Sequence, residues 1–145
     1  MNDTNRYAPP KAEVSDVTLN FKGSRIDALP VSPAWKIRFR LIERAGGPKL
    51  PQIKDLPVGE RMKITFNVPG FLFGPFYYLF KGMWKKGLVL LGICVVALLV
   101  LDVVLGALGL ARFADATGFG AAAVFAIRAN IDFYKKQVLG DNGWW

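Results

Sequence analysis

The side chains best suited to chemistry in this chain are cations and aromatic rings beside an apolar segment. They alternate over a short stretch that contains Tyr77, Tyr78, Lys81, Trp84, Lys85 and Lys86. Amphipathic rings favour the level of lipid headgroups, and long Lys side chains extend towards phosphates. We therefore predict that this stretch contacts anionic headgroups or a membrane-protein partner.

A second polar group follows near the other end of the chain and contains Arg128, Asn130, Asp132 and Tyr134. Arg128 and Asp132 are four residues apart, so on a helix they share a face and can neutralise each other locally. Two interpretations remain open. The pair is purely structural, or the group faces Lys81, Trp84 and Lys85 across the base of a hairpin and forms a pocket for a headgroup or partner loop.

Asp102 is the single ionisable residue inside the longest apolar run. Intramembrane carboxylates are costly and often serve proton or cation relays. Asp102 lies about 22 Å beyond Gly87 along a helix, near the outer boundary, where Arg112 or interfacial water is within reach. This depth favours a structural or topological role over ion handling.

Residues with other catalytic chemistry are scarce. The chain has no histidine, and its one cysteine, Cys94, lies in the apolar run. No nucleophile elbow, phosphate-binding loop or close carboxylate pair is present. We expect no enzymatic activity, no metal and no cofactor. The net charge of +8 comes from cations beside apolar segments, which indicates anionic lipid and not nucleic acid.

Two apolar segments predict a transmembrane hairpin. Residues 87–111 are interrupted only by Asp102 and exceed the roughly 20 residues that a hydrocarbon core about 30 Å thick requires. Residues 116–134 form the predicted return span. Lysines flank the end shared by both segments, so the positive-inside rule places both termini in the cytoplasm.

Residues 66–86 precede the hairpin and combine aromatic and basic side chains. Their apolar part, 66–80, is short for a span and is punctuated by Pro69, Gly74 and Pro75. We predict an interfacial or re-entrant helix, with a third full span as the alternative. A third span would place twelve Lys and Arg residues outside, which the positive-inside rule disfavours.

The N-terminal part divides into a flexible tail, 1–31, and a cytoplasmic amphipathic helical region, 32–65. Ser32 and Pro33 suit the start of a helix, and Gly46 with Gly47 suits its end. A strand is the alternative, because apolar and basic residues alternate from Trp35 to Leu41. Residues 135–145 form a cytoplasmic tail that ends in two tryptophans.

Small residues recur every fourth position of the second apolar segment, at Ala114, Gly118, Ala122 and Ala126. Such a row lets another helix approach closely. We predict that it closes the hairpin onto the first span; a homodimer interface is the alternative.

The block FNVPGFLFGPFYYLFKGMWKKG before the apolar run and AIRANIDFYKK after it carry a family resemblance. They resemble a family of small bacterial inner-membrane proteins of unknown function, with an F-x-F-G-P-x-Y-Y-L-x-K-G-M-W-type block before the spans and an A-N-x-x-Y-type block after them. The segments SPAWKIRFRLIERAGGPKLP and GERMKITFN extend the similarity to residues 32–145. The resemblance implies a bacterial inner-membrane location and a recurring architecture, and it implies no reaction.

Taken together, these features predict an all-α, polytopic inner-membrane protein with a two-span hairpin, an interfacial or re-entrant aromatic helix and a small cytoplasmic helical region. The predicted function is that of a non-enzymatic adaptor that binds lipid or another membrane protein. An oligomeric channel or transporter component is the alternative, since two spans enclose a pore only when several copies assemble.

Overall fold

The computed structural model describes residues 25–145, apart from the side chain of Asp115. Over this range the chain is helical and contains no strand, which confirms the all-α prediction there. After a helical turn at residues 25–27, the elements are α1 (Pro33–Arg44), a 3-10 turn (Ile53–Asp55), α2 (Val58–Thr65), α3 (Val68–Phe73), α4 (Pro75–Phe80), α5 (Trp84–Ala107), a 3-10 turn (Ala111–Phe113) and α6 (Ala114–Val138).

Helix α1 begins at Pro33, whose missing N–H has no partner to lose in a first turn. It is followed by Gly46 and Gly47, both at a φ of 90°. Its buried face follows the helical period, with Phe39 and Ile42 fully buried while Ile37 is 52% exposed. A strand would have placed Ile37 on the same face as Phe39, so the helical interpretation of this segment is confirmed.

Helix α6 is the central element, in contact with α1, α2, α3 and α5. Its C-terminal half carries an aromatic core shared with α1. The ring centroids of Trp35 and Phe133 are 4.6 Å apart, and those of Phe39 and Tyr134 are 5.7 Å apart. The N-terminal helical region therefore docks on the end of α6.

The predicted flexible tail differs from the structure in its last residues. Ile26 is fully buried in the core, and Asp27 forms an ion pair with Arg40. Burial of one large apolar side chain gives this short segment a fixed position. The rest of the predicted tail, residues 1–24, lies outside the described residues.

Of the residues described, α5 is the one helix whose length and composition suit a membrane crossing, and only 11% of its most apolar 18-residue window is buried. Helix α6 is as long but carries Arg128 and Asp132. The two helices run antiparallel, because they pack against each other and only the short turn 108–113 connects them.

Candidate functional site

Residues 68–80 form a wedge of two short helices against α5 and α6. Gly74 connects them at a φ of 47°, in the region that favours glycine, and Pro75 begins α4. At the tip, an apolar groove of about 380 Å³ is bordered by wedge residues 71–76 and by Cys94 and Leu98 of α5. These two residues lie about 15 and 21 Å along α5 from its first residue. The wedge therefore runs along the hairpin to about its middle and returns.

A buried amide pair fastens the wedge to α6. Asn67 accepts a hydrogen bond from the backbone N–H of Gly70 (2.9 Å), which caps α3, and its Nδ2 donates to Asn130 Oδ1 (2.8 Å). Asn130 is fully buried, and its Nδ2 donates to the carbonyls of Ile64 (3.0 Å) and Phe66 (3.3 Å). The amide of Asn130 thus donates to backbone carbonyls that have no helical partner where α2 ends.

Tyr78 and Asp132 form a second buried contact, between α4 and α6. The Tyr78 hydroxyl donates to Asp132 Oδ2 (3.0 Å), and Arg128 Nη2 lies 3.7 Å from Asp132 Oδ1. Burial is the main cause that raises the pKa of Tyr78, and the Asp132 carboxylate raises it further. The phenol therefore stays protonated as a donor to this carboxylate.

The C-terminal tail, residues 139–145, covers the Arg128–Asp132 pair. Lys86 is only 4% exposed and donates to the backbone carbonyl of Asp141 (3.0 Å), with the Asp141 carboxylate at 3.4 Å. The Trp145 ring lies 4.7 Å from the Arg128 guanidinium, a cation–π contact. The Gly143 N–H and then the Lys86 ammonium lower the pKa of Asp141.

Beneath this tail lies a cavity of about 10 Å³, close to the volume that one water needs. Arg128 Nε and Asp132 Oδ1 are buried without a hydrogen-bond partner among the described residues. The cavity is lined by Lys86, Leu90, Arg128, Asp132, Trp144 and Trp145. A buried polar pair of this kind is the usual setting for an ordered water.

The residues predicted before the hairpin to contact lipid, here called the collar, divide between two positions; they are Tyr77, Tyr78, Lys81, Trp84, Lys85 and Lys86. Trp84 packs edge-to-face on Trp144 (5.6 Å), and Lys85 lies 5.9 Å from the Trp84 ring. Tyr77 and Lys81 instead lie on the side of α4 that faces α1 and α6. Lys86, predicted to reach headgroups, is committed to Asp141.

The four polar residues predicted near the end of α6 do not share one pocket. Arg128 and Asp132 face α4 and the C-terminal tail, whereas Asn130 faces α2 and α3. Tyr134 lies against α1, where its hydroxyl is 3.4 Å from Glu43 Oε1. Asp102 is exposed on α5, and neither a hydrogen bond nor an ion pair links it to another described side chain.

The middle of the row of small residues on α6 lies beside the wedge, and Ala122 also borders the groove that α5 lines. A Cβ built on Gly70 would lie 3.4 Å from Ala126 Cα. Gly118 and Ala122 border a groove with Phe71 and Leu72 of the wedge. Ala114, at the start of α6, accepts a hydrogen bond from Thr117 through its carbonyl.

Sequence reasoning missed two residues of these sites, Asn67 and Asp141. A signal existed for Asn67, because an Asn immediately before Val-Pro-Gly fits a helix cap followed by a first-turn proline. Among the described residues, no three His, Cys, Asp or Glu side chains come together as a metal site would require.

The fold and these sites define a class of small helical protein in which one long apolar helix stands beside a wedge held by buried polar contacts. The chain belongs to the family described as "Protein of unknown function (DUF2628)", whose model matches residues 19–138.

Two enterobacterial proteins illustrate the similarity. The chain is 30% identical to Uncharacterized protein YigF of Escherichia coli strain K12 over 122 residues, which cover 79% of this chain and 90% of YigF. It is 27% identical to YigF of Salmonella typhimurium over the same coverage. No solved structure gives a significant match. The resemblance to a bacterial family of unknown function is confirmed at this level.

Proposed function

We propose that this protein is a small, non-enzymatic integral membrane protein that binds anionic phospholipid headgroups at the base of a two-span hairpin. One observation carries the proposal: the apolar surface of α5 and the wedge is exposed, and it ends at a group of aromatic and cationic side chains. The side chains of Val103, Phe80 and Phe76 are 73%, 86% and 64% exposed. In water, a surface of this kind would drive aggregation.

The first span is α5 and the second is α6. Only a small share of the apolar window of α5 is buried, which is unlike the core helix of a soluble protein. Arg128 and Asp132 make α6 less apolar, but they neutralise each other and lie against Tyr78 and Trp145. Charges paired inside the protein are compatible with a membrane span.

The base of the hairpin is the lipid-binding end. Trp84, Lys85 and Trp144 meet there, and Trp84 and Trp144 are 44% and 54% exposed. Rings of this type favour the headgroup level, and Lys side chains beside them favour anionic lipids. Because cations concentrate at this end, we place it in the cytoplasm, with the hairpin in the bacterial inner membrane.

Lipid retention tests the proposal. The full chain is purified in a maltoside detergent, phosphatidylglycerol is added, and bound lipids are counted by native mass spectrometry at low and high salt. We expect salt-dependent retention that falls several-fold in Lys81→Gln/Lys85→Gln. Lys49→Gln/Lys54→Gln removes the same charge from the exposed connector and is the matched control. Equal retention in both double variants, without salt dependence, would contradict the proposal.

Asp102 alone favours a second candidate, an oligomeric channel or transporter component. It is exposed on α5, and in a bilayer a neighbouring copy would shield it from lipid. This candidate predicts that Asp102→Asn abolishes conductance in reconstituted vesicles while the assembly stays intact. A strictly monomeric protein in native membranes would exclude it.

A further inference from the structure

Three cations from three separate elements lie near one another at the base. They are Arg38 of α1, Lys81 after α4 and Lys136 of α6. The Arg38 guanidinium carbon lies 4.9 Å from the centroid of the Trp35 ring, and Lys81 Nζ lies 5.1 Å from the same centroid. The two charges are therefore no farther apart than the sum of these distances.

Lys136 reaches the same place through backbone contacts. Its Nζ donates to the carbonyls of Lys81 (2.5 Å) and Gly82 (3.1 Å), so one of its three donor positions remains. Gly82, at a φ of 66°, leaves room for it: a Cβ there would lie 2.6 Å from Lys136 Nζ.

No carboxylate balances the three charges in the part of the chain that the structure describes. The ion pairs there are Arg40–Asp27, Arg44–Glu60, Lys86–Asp141 and Arg128–Asp132. Burial lowers the pKa of Lys81, and Arg38 and Lys136 lower it further through their like charge. The cluster is therefore unfavourable as it stands and would gain from an anion.

Aromatic rings hold Lys81 in place without using its donors. Its Nζ lies 4.6 Å from the centroid of Phe133 and 5.9 Å from that of Tyr77, at cation–π distances. Neither Lys81 nor Arg38 donates a side-chain hydrogen bond to another described residue. A guanidinium and two ammonium groups with free N–H bonds match the several acceptor oxygens of one phosphate group.

We infer that Arg38, Lys81 and Lys136 form a binding site for a single phosphate group. The inference deepens the proposed function, on which it rests for the lipid source: the phosphate of an anionic lipid headgroup. A soluble phosphate shares the same chemistry, and the experiment below separates the two sources. The assignment adds Arg38 and Lys136 to the collar.

The test uses the full chain in maltoside detergent in two separate titrations. Binding of phosphatidylglycerol is measured by native mass spectrometry, and binding of inorganic phosphate is measured by phosphorus NMR. We expect Arg38→Gln and Lys81→Gln each to weaken binding of at least one probe about tenfold, as loss of a charge-assisted hydrogen bond implies. Lys49→Gln, an equal loss of charge in the connector, should change it less than about twofold. Lys81→Arg keeps the charge and should bind as the wild type does. It therefore tests the role of the charge even if Lys81→Gln disturbs folding.

The outcomes separate the site from the proposed function. If only phosphatidylglycerol binds, the lipid headgroup is the source of the phosphate. If no lipid is retained but inorganic phosphate binds, and Arg38→Gln weakens that binding, the site is supported and the lipid-binding function is contradicted. Lipid retention unchanged in Arg38→Gln and Lys81→Gln but lost in Lys85→Gln would overturn the site and leave the function standing. Equal binding of both probes by the wild type and both Gln variants would also overturn the site.

Discussion

The two ends of the α5–α6 pair differ sharply in how their surfaces are covered. At the base, Asn130 and Asp132 are 0% and 2% exposed, and they accept hydrogen bonds from Asn67 and Tyr78. In the distal half, Val96 and Leu99 are 62% and 63% exposed, and a groove of about 260 Å³ separates the helices. The protein itself covers the base, whereas the apolar surface of the distal half is left uncovered among the described residues.

The largest expected effect breaks the base at its amide pair. Asn130→Leu removes the donor to the carbonyls of Ile64 and Phe66 and the acceptor for Asn67 Nδ2, which keeps only its bond to the Tyr77 hydroxyl. We expect a loss of about 3 kcal/mol or more in the free energy of unfolding, since each unsatisfied buried group costs about 1–3 kcal/mol. Unfolding by SDS in mixed micelles measures it. Val103→Ala in the distal half is the control, and an equal loss in both variants would contradict the comparison.

Two glycines five residues apart on α5 sharpen the same contrast. A Cβ on Gly87 would lie 2.7 Å from Tyr78 Cβ, whereas a Cβ on Gly92 meets nothing within 4 Å. We expect Gly87→Ala to destabilise by about 2 kcal/mol through overpacking. Gly92→Ala should stabilise by up to about 1 kcal/mol, because it restricts the unfolded backbone. The same unfolding assay decides, and destabilisation of similar size at both positions would contradict the difference in packing between them.

Tyr78→Phe removes the hydroxyl that Asp132 accepts and should cost about 1–2 kcal/mol at neutral pH. Because burial and Asp132 raise the Tyr78 pKa above its ordinary 10.0, its contribution is complete below pH 10 and declines as the pH rises above that value. Unfolding measured from pH 8 to 11 should show a smaller alkaline loss in Tyr78→Phe than in the wild type. Parallel pH profiles would argue against the contact.

The smallest effect concerns the C-terminal tail. The pKa of Asp141 is lowered from 3.8, so its hold on Lys86 and Gly143 is complete above the unfolded value and is lost as the pH falls through the lower folded value. The protection factors of residues 139–145 in hydrogen exchange, which compare each rate with the intrinsic rate at the same pH, should therefore fall below pH 4. In Asp141→Asn the exchange should be fast already at neutral pH, and slow exchange there would contradict this role.

Local sequence patterns predicted the helices and their ends, but they did not predict contacts between residues far apart in the chain. Pro33 and the paired glycines marked α1, and Gly74 with Pro75 marked the break in the wedge, because these residues act on their own backbone. The Arg128–Asp132 pair followed from helical spacing. Asn67 and Asn130 are 63 residues apart, so nothing local indicates their contact. The Arg38, Lys81 and Lys136 cluster is of the same kind.

Cysteine accessibility tests most directly the claim that α5 and α6 form a two-span hairpin with the wedge inside the bilayer. Cys94 is the one native cysteine, so Cys94→Ala provides a background for Lys49→Cys, Phe73→Cys, Leu108→Cys and Leu139→Cys. Each variant is treated with a membrane-impermeant maleimide in intact spheroplasts and in inverted membrane vesicles.

A two-span hairpin with the wedge inside the bilayer predicts that Leu108→Cys reacts only in spheroplasts and that Phe73→Cys reacts in neither preparation. Lys49→Cys and Leu139→Cys should react only in inverted vesicles. Labelling of Phe73→Cys from the outside would contradict the wedge, and labelling of Leu108→Cys from the same side as Leu139→Cys would contradict the hairpin.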